Sequence, residues 1–226
     1  MPTRERSIRV EAVILSHYDW GETDRILAIF TRELGKVRAI AKGARKPHSR
    51  KAGHIEPLMR TQLQLARGRE LFIVTQAENI EAYDQLRTDL TLLGHAAYCI
   101  ELLDRFTYEE GENRPLYDLL KNTLQRLSTQ PNPVFTIRYY EIRILDLLGF
   151  RPHLFHCASC EKDIKPENQF FSSEQGGILC PTCGHGTDGA KPVTMNALKY
   201  LRHFQRSSYR EAQRAVISPS TYRELE

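Results

Sequence analysis

Nowhere does this chain approach the roughly 18 consecutive apolar side chains that a membrane-spanning helix needs. The basic stretch Met1 to Arg9 is not followed by the apolar core of a secretion signal. Nucleotide-binding and hydrolytic signatures are missing too: there is no G-x-x-x-x-G-K-[ST], no G-x-G-x-x-G, no H-E-x-x-H and no G-x-S-x-G. Internal repeats and low-complexity tracts are also absent. Glu22 and Asp24 could in principle hold Mg²⁺, but Gly21-Glu22-Thr23-Asp24-Arg25 reads better as a turn that opens a strand. The expectation is a cytoplasmic protein that is not an enzyme and works by binding.

What the chain does have is positive charge gathered in one place. Between Leu34 and Arg69 there are ten Lys or Arg residues against one acid, Glu56, so this window carries +9 while the whole protein carries only +4. A surface built only for solubility would intersperse the two signs. A one-sided basic segment beside a neutral-to-acidic body is the footprint of a nucleic-acid binder.

Four of the five cysteines form two pairs, Cys157-Ala-Ser-Cys160 and Cys180-Pro-Thr-Cys183, with 19 residues between them. Two residues between thiols let one tight turn present both sulfurs to a single tetrahedral ion, so the pattern predicts one structural Zn²⁺ held by Cys157, Cys160, Cys180 and Cys183. Four protein ligands leave no open coordination position for catalysis. His153, His156 and His185 stand close enough to substitute. Disulfides are the rival, disfavoured by a reducing cytosol and by the spacing. Cys99, beside Ile100 and Leu103, is expected to be a core thiol.

The hydrophobic pattern changes period along the chain. Residues 8–77 alternate with period two: Ile8, Val10, Ala12 and Ile14 share one face, followed by runs Arg25 to Phe30, Lys36 to Lys42, Leu58 to Ala66 and Leu71 to Gln76. Five strands in so short a length predict a small barrel of the OB type. On the third, Lys36, Arg38 and Lys42 lie opposite Val37, Ala39 and Ala41. Its basic side continues into Gly43-Ala44-Arg45-Lys46-Pro47-His48-Ser49-Arg50-Lys51, expected to be a mobile loop. A basic strand and loop on such a barrel suit single-stranded nucleic acid. The predicted contact set is Lys36, Arg38, Lys42, Arg45, Lys46, Arg50 and Lys51, with Arg60 and Arg67 as outer members. Tyr18 and Trp20, expected in the loop before the second strand, either stack bases or fill a barrel end.

From about Asp84 the period becomes 3.6. Leu93, Ala96, Ala97, Ile100 and Leu103 form one stripe, and Leu116, Leu120, Leu124 and Leu127 a second, with Glu109 to Glu112 as an exposed acidic loop between them. A third helix opens at Asn132-Pro133 and ends at Gly149. Gln169-Phe170-Phe171 and Gly176-Gly177-Ile178-Leu179, between the cysteine pairs, suit a short hairpin. Thr194 caps a stripe of Leu198, Leu201 and Phe204. Ser218-Pro219 opens a last helix that is cut off at Glu226, as in a shortened C-terminus. The class is α+β and multidomain: an N-terminal OB-fold β-barrel (1–80), an α-helical domain (81–156, resuming at 186–226) and an inserted zinc-ribbon-like segment with the four-cysteine site (157–185).

These residues resemble a family. Gly21-Glu22-Thr23-Asp24-Arg25-Ile26, Phe30 to Arg38 and Ala41-Lys42-Gly43-Ala44-Arg45 look like the N-terminal signature of bacterial RecO, the recombination mediator. The likeness continues through Ala96-Ala97-Tyr98, Glu101 to Arg105, Arg138-Tyr139-Tyr140-Glu141, Leu147 to Phe150 and the cysteine pairs around Gly176-Gly177. RecO proteins usually run on to a basic C-terminal segment that is not found here. The resemblance implies binding of single- and double-stranded DNA, annealing of complementary strands, nucleoid association, and work with RecR and single-strand-binding protein to load RecA, without ATP. It further implies that Arg138, on a helix lined by Ile137, Ile144, Leu145 and Leu148, receives the acidic C-terminal tail of single-strand-binding protein. Its rival reading is a surface arginine paired with Glu141. For the chain as a whole the alternative is an RNA-binding or structural adaptor OB module, since phosphate contacts alone do not separate DNA from RNA.

Overall fold

The computed structural model describes residues 7–109 and 111–225, and the chain divides into two compact units, Met1–Pro133 and Val134–Glu226. Met1 to Arg6, the greater part of the basic N-terminus, and Glu110 of the acidic loop lie outside the described residues.

The first unit opens with five strands: β1 (Ser7–Trp20), β2 (Asp24–Thr31), β3 (Gly35–Ala41), β4 (Arg60–Arg67) and β5 (Phe72–Glu81). They close into a barrel in the order β1-β2-β3-β5-β4, with β3 and β5 parallel and every other pair antiparallel, as in an OB-fold. The interior is the alternating apolar set: Val10, Ala12, Ile14, Leu27, Ile29, Ala39, Ala41, Leu63, Leu65 and Val74. Three strand bounds differ from the pattern, the first because β1 runs on through Tyr18 to Trp20, which were expected in the loop before the second strand. Leu58 has φ 74°, which a strand cannot continue, so β4 begins at Arg60. β5 runs on to Glu81 because its second half pairs with β4 although its residues are mostly polar and exposed.

One irregularity matters for function. The β1–β2 register passes from Ile14↔Ile29 to Ser16↔Ala28, leaving Leu15 as the extra residue of a β-bulge. A bulge reverses the alternation beyond it. Before it the even residues of β1 face the core; after it His17 pairs with the inward Leu27, while Tyr18 and Trp20 turn outward.

Three helices complete this unit: α1 (Asp84–Thr88), α2 (Leu90–Phe106) and α3 (Arg114–Thr129). Asp89 caps α2 by accepting from the Thr91 and Leu92 amides, and Asn113 caps α3 through Leu116. The α3 stripe is as read, with Leu116, Leu120, Leu124 and Leu127 all buried. On α2 the buried residues are Ala96, Cys99, Ile100 and Leu103; Ala97, expected in that stripe, is exposed.

The second unit begins with α4 (Pro133–Leu147). It ends in a Schellman motif: Gly149 at φ 84°, with the Phe150 amide donating to Leu145 and the Gly149 amide to Asp146. A three-stranded antiparallel sheet follows, β6 (Gln169–Ser172), β7 (Gly177–Leu179) and β8 (Lys191–Val193), in the order β7-β6-β8, with the short α5 (Pro181–Gly184) before β8. The β6–β7 hairpin is the one read from sequence. Gly177 is needed there, because a Cβ would lie 2.5 Å from the His153 carbonyl oxygen. Helices α6 (Met195–Arg206), α7 (Tyr209–Ala212) and α8 (Pro219–Glu224) finish the chain. Phe135, Tyr139, Phe204 and Tyr209 form an edge-to-face core with ring centroids 5.2 to 6.4 Å apart. Glu224 of α8 accepts from the Thr194 hydroxyl at 2.7 Å, beside the cap of α6.

Candidate nucleic-acid interface and metal centre

The basic loop after β3, expected to be mobile, is turned on hydrogen bonds to the preceding hairpin. Gly43 takes φ 65° and donates its amide to the Asp24 carboxylate at 2.7 Å, which above all holds that carboxyl below its ordinary range. The Arg45 amide donates to the Thr23 carbonyl, and successive turns run Ala44 to Ala41, Lys46 to Gly43 and Ser49 to Lys46. Charge repulsion along the loop is overcome because the tip of the β1–β2 hairpin supplies the acceptors. Asp24 is therefore a loop anchor. The one acid of the basic window, Glu56, turns to Arg25 (2.7 Å) and His17 (3.1 Å) and leaves the loop cations alone.

Lys42, Lys46, Arg50 and Lys51 come together with His48, Ser49 and Thr75 around a cleft of about 570 Å³ that no acidic side chain lines among the described residues. Lys51 is steadied by donating to the Val74 carbonyl. Arg45 and Arg38 stand outside this cleft. Arg45 donates to the Gly21 and Glu22 carbonyls and pairs with Asp19 at 3.2 Å. Arg38 donates to the Tyr18 hydroxyl at 2.7 Å, with Glu109 at 3.9 Å. Arg67 is exposed at the β4–β5 turn.

Two of the expected contact residues are engaged within the protein. Lys36 is mostly covered: its ammonium donates to the Asp104 and Thr107 carbonyls and pairs with the Asp104 carboxylate at 2.8 Å, a cation closing the C-terminal end of α2. Arg60 donates to Glu11 at 3.0 Å, and the Tyr117 hydroxyl donates to the same carboxylate oxygen at 2.9 Å. Burial first, and then Glu11, pushes the Tyr117 phenol up, so it stays a donor. Glu11 thus joins barrel to helices, and Arg60 supplies its countercharge. Arg60→Ala should lower the stability of this unit by about 2 kcal/mol, leaving Glu11 short of its countercharge, and leave oligonucleotide affinity of the folded protein unchanged. Urea melts and anisotropy titrations check this; the reverse pattern would return Arg60 to the binding surface.

In the second unit the four cysteines of the two pairs meet. All four Sγ atoms lie within 4.8 Å of one another, Cys160 and Cys180 3.9 Å apart, and all are free thiols. A tetrahedral ion with ~2.3 Å bonds to sulfur separates its ligands by ~3.8 Å, so the donor set fits a zinc-sized ion. Burial pushes the Cys157 thiol up, but the amides of Cys160, Cys180 and Ser159 outweigh it and leave the group at about 6. Cys183, hydrogen-bonded to Cys180, is pushed up to about 12. Gly184 follows the second pair because a Cβ there would come within 2.3 Å of the Phe170 ring. His185 packs edge-on against Phe170, His156 pairs with Asp163, and His153 bridges to Gly177.

Arg138 donates to both carboxylate oxygens of Glu141, at 2.9 and 2.8 Å, and is only 18% exposed. A cavity that the sequence reading missed opens on α6. It has about 1100 Å³ and is lined by Phe155, Lys165, Lys199, Arg202, His203 and Arg206 among others, with no acid among the described residues. The Arg206 guanidinium lies 3.6 Å from the Phe155 ring centre and Arg202 4.9 Å. Burial, then Arg206, holds the Arg202 guanidinium below its ordinary range. The signal was present: Lys199, Arg202, His203 and Arg206 recur at i, i+3, i+4 and i+7.

The family profile "Recombination protein O N terminal" matches residues 6–83, and "Recombination protein O C terminal" matches residues 87–226. A DNA repair protein RecO from Roseiflexus sp. (strain RS-1) is 43% identical over 223 residues, covering 99% of this chain and 78% of the relative. One from Dehalococcoides mccartyi (strain BAV1) is 34% identical over 224 residues, 99% of this chain and 88% of the relative. One from Alkaliphilus metalliredigens (strain QYMF) is 33% identical over 220 residues, 96% and 89%. The chain belongs to the RecO family.

Proposed function

We propose that this RecO-family protein, whose role lies in DNA repair and recombination, is a non-catalytic mediator that binds single- and double-stranded DNA and anneals complementary strands. The observation that carries this reading is a pair of acid-free cationic concavities, one in each compact unit: Lys42, Lys46, Arg50 and Lys51 in the first, Lys165, Lys199, Arg202 and Arg206 in the second. Annealing brings two polyanions together, and each must be relieved of its repulsion by cations that replace bound counterions. Protein that neutralises two strands at two places meets that need without nucleotide hydrolysis.

The four-cysteine cluster takes one Zn²⁺ through Cys157, Cys160, Cys180 and Cys183. Its role there is structural, a zinc-ribbon-like segment at 157–185 between the helical portions 81–156 and 186–226, with the barrel at 1–80. In repair, the protein acts with RecR to load RecA onto strands coated by single-strand-binding protein. The tail of that protein ends in a carboxylate, which at Arg138 would have to displace Glu141.

The test is annealing of complementary DNA oligonucleotides at stoichiometric protein. The rate should rise at least about tenfold over the spontaneous one, and fall as salt is raised. Acceleration of RNA pairing with none for DNA would favour the RNA-binding module instead.

A further inference from the structure

We propose that Tyr18 and Trp20 form a stacking platform for unpaired bases, set on the outer face of the barrel beside the cationic loop. The proposal rests on the nucleic-acid reading above and adds to it a means of telling single strands from duplex.

The bulge at Leu15 puts both rings outside, where Tyr18 is 46% and Trp20 55% exposed. Large aromatic side chains held out in water on a rigid strand are costly unless a partner covers them. Register places an apolar floor beside them: Tyr18 pairs with Ile26, Ile26 with Ile40, and Ile40 with Ile73 across β1, β2, β3 and β5. Charge stands at the edges of this floor. Arg38 reaches Tyr18 by donating to its hydroxyl, which holds the ring in place beside a cation. On the other side Arg45 is bonded to the carbonyls of Gly21 and Glu22, immediately after Trp20, and leads into the Lys42–Lys51 cleft.

Flat π-faces over an apolar floor, with guanidinium groups at the rim, match a base with its phosphate. An uncharged lipid or an apolar peptide would not call for the cations, and duplex DNA has no open base to offer. Stacking of this kind accepts any base.

Trp20 is the only tryptophan in the chain, so its emission reports on this face alone. The full chain is titrated with three labelled 20-mers, a thymidine strand, an abasic strand of equal charge and a duplex, following anisotropy for binding and Trp20 emission for stacking. Expected is binding of all three, with quenching by the thymidine strand only. Tyr18→Ala should weaken the thymidine strand about tenfold and leave the abasic strand and duplex unchanged, while Tyr18→Phe keeps the ring and stays near wild type. Equal quenching by the abasic strand, or an equal loss for all three in Tyr18→Ala, would overturn the platform while sparing the phosphate contacts. No anisotropy change with any of them would overturn the nucleic-acid reading and the platform together.

Discussion

Replacing Cys157 by Ser, or stripping the metal with a chelator, should unfold the cysteine-bearing sheet and destabilise the second unit while the barrel stays folded. Strands β6, β7 and β8 have only four, three and three residues, and the core beneath them is Leu154, Ile178 and Leu198 with a few half-buried neighbours. So small a sheet cannot repay its backbone entropy from burial alone. Metal binding supplies the rest, on the order of 10 kcal/mol for structural zinc in small domains, and losing one thiolate of four removes much of that. Thermal unfolding should then show two transitions in place of one, the lower shifted by about 10 °C or more (a loss of several kcal/mol in a small unit), with zinc content below one per chain. Acid should act in the same direction, because protons compete with metal for the thiolates. An identical melt with and without chelator, and no stoichiometric zinc in protein purified without one, would reduce the cluster to four neighbouring thiols.

The second large effect belongs to the cleft after β3. Reversing Lys42, Lys46 and Arg50 together to Glu should weaken every DNA sequence alike. Each phosphate left without its cation takes about 0.7 to 0.9 units from the slope of log affinity against log salt, so three remove roughly two to three. Between about 50 and 200 mM salt the wild type would then lose at least about tenfold more affinity than the variant. These side chains line an open cleft, but Lys42 and Lys46 also favour the charge on Asp24, so circular dichroism of the variant should accompany the titration. Lys121→Glu, on α3 and paired with Asp118, is the control that should change neither quantity. A sequence-dependent loss would mean base readout and a different surface.

The barrel, the α3 stripe and the cysteine pairs were legible because each is local: alternation, a 3.6-residue period and C-x-x-C spacing need no knowledge of distant chain. The family likeness was legible for the same reason, in short runs such as Ala41 to Arg45. What escaped is what depends on distant partners. Lys36 and Arg60 look like members of a basic strand and its neighbour, yet their carboxylates lie at Asp104 and Glu11, far along the sequence. The loop at 43–51 looked unfoldable because its anchors, Asp24 and Thr23, belong to another turn. The outward turn of Tyr18 and Trp20 follows from one unpaired residue, Leu15, that alternation cannot reveal among Val13, Ile14 and Leu15, all buried.

The barrel is closed by a narrow seam. β3 and β5 share only Ala39↔Phe72 and Ile40↔Ile73, whereas β1 and β2 match along eight residue pairs. These two pairs also join residues distant along the chain, so their loop-closure entropy falls due only after the hairpins have formed. Closure at this seam is therefore expected to follow the β1–β2 and β2–β3 hairpins, and so short a seam is expected to part early in native-state fluctuations. Amide hydrogens at Ile40 and Ile73 should exchange ahead of those on β1, giving this ring a latch beside the platform and the cationic loop that follows β3.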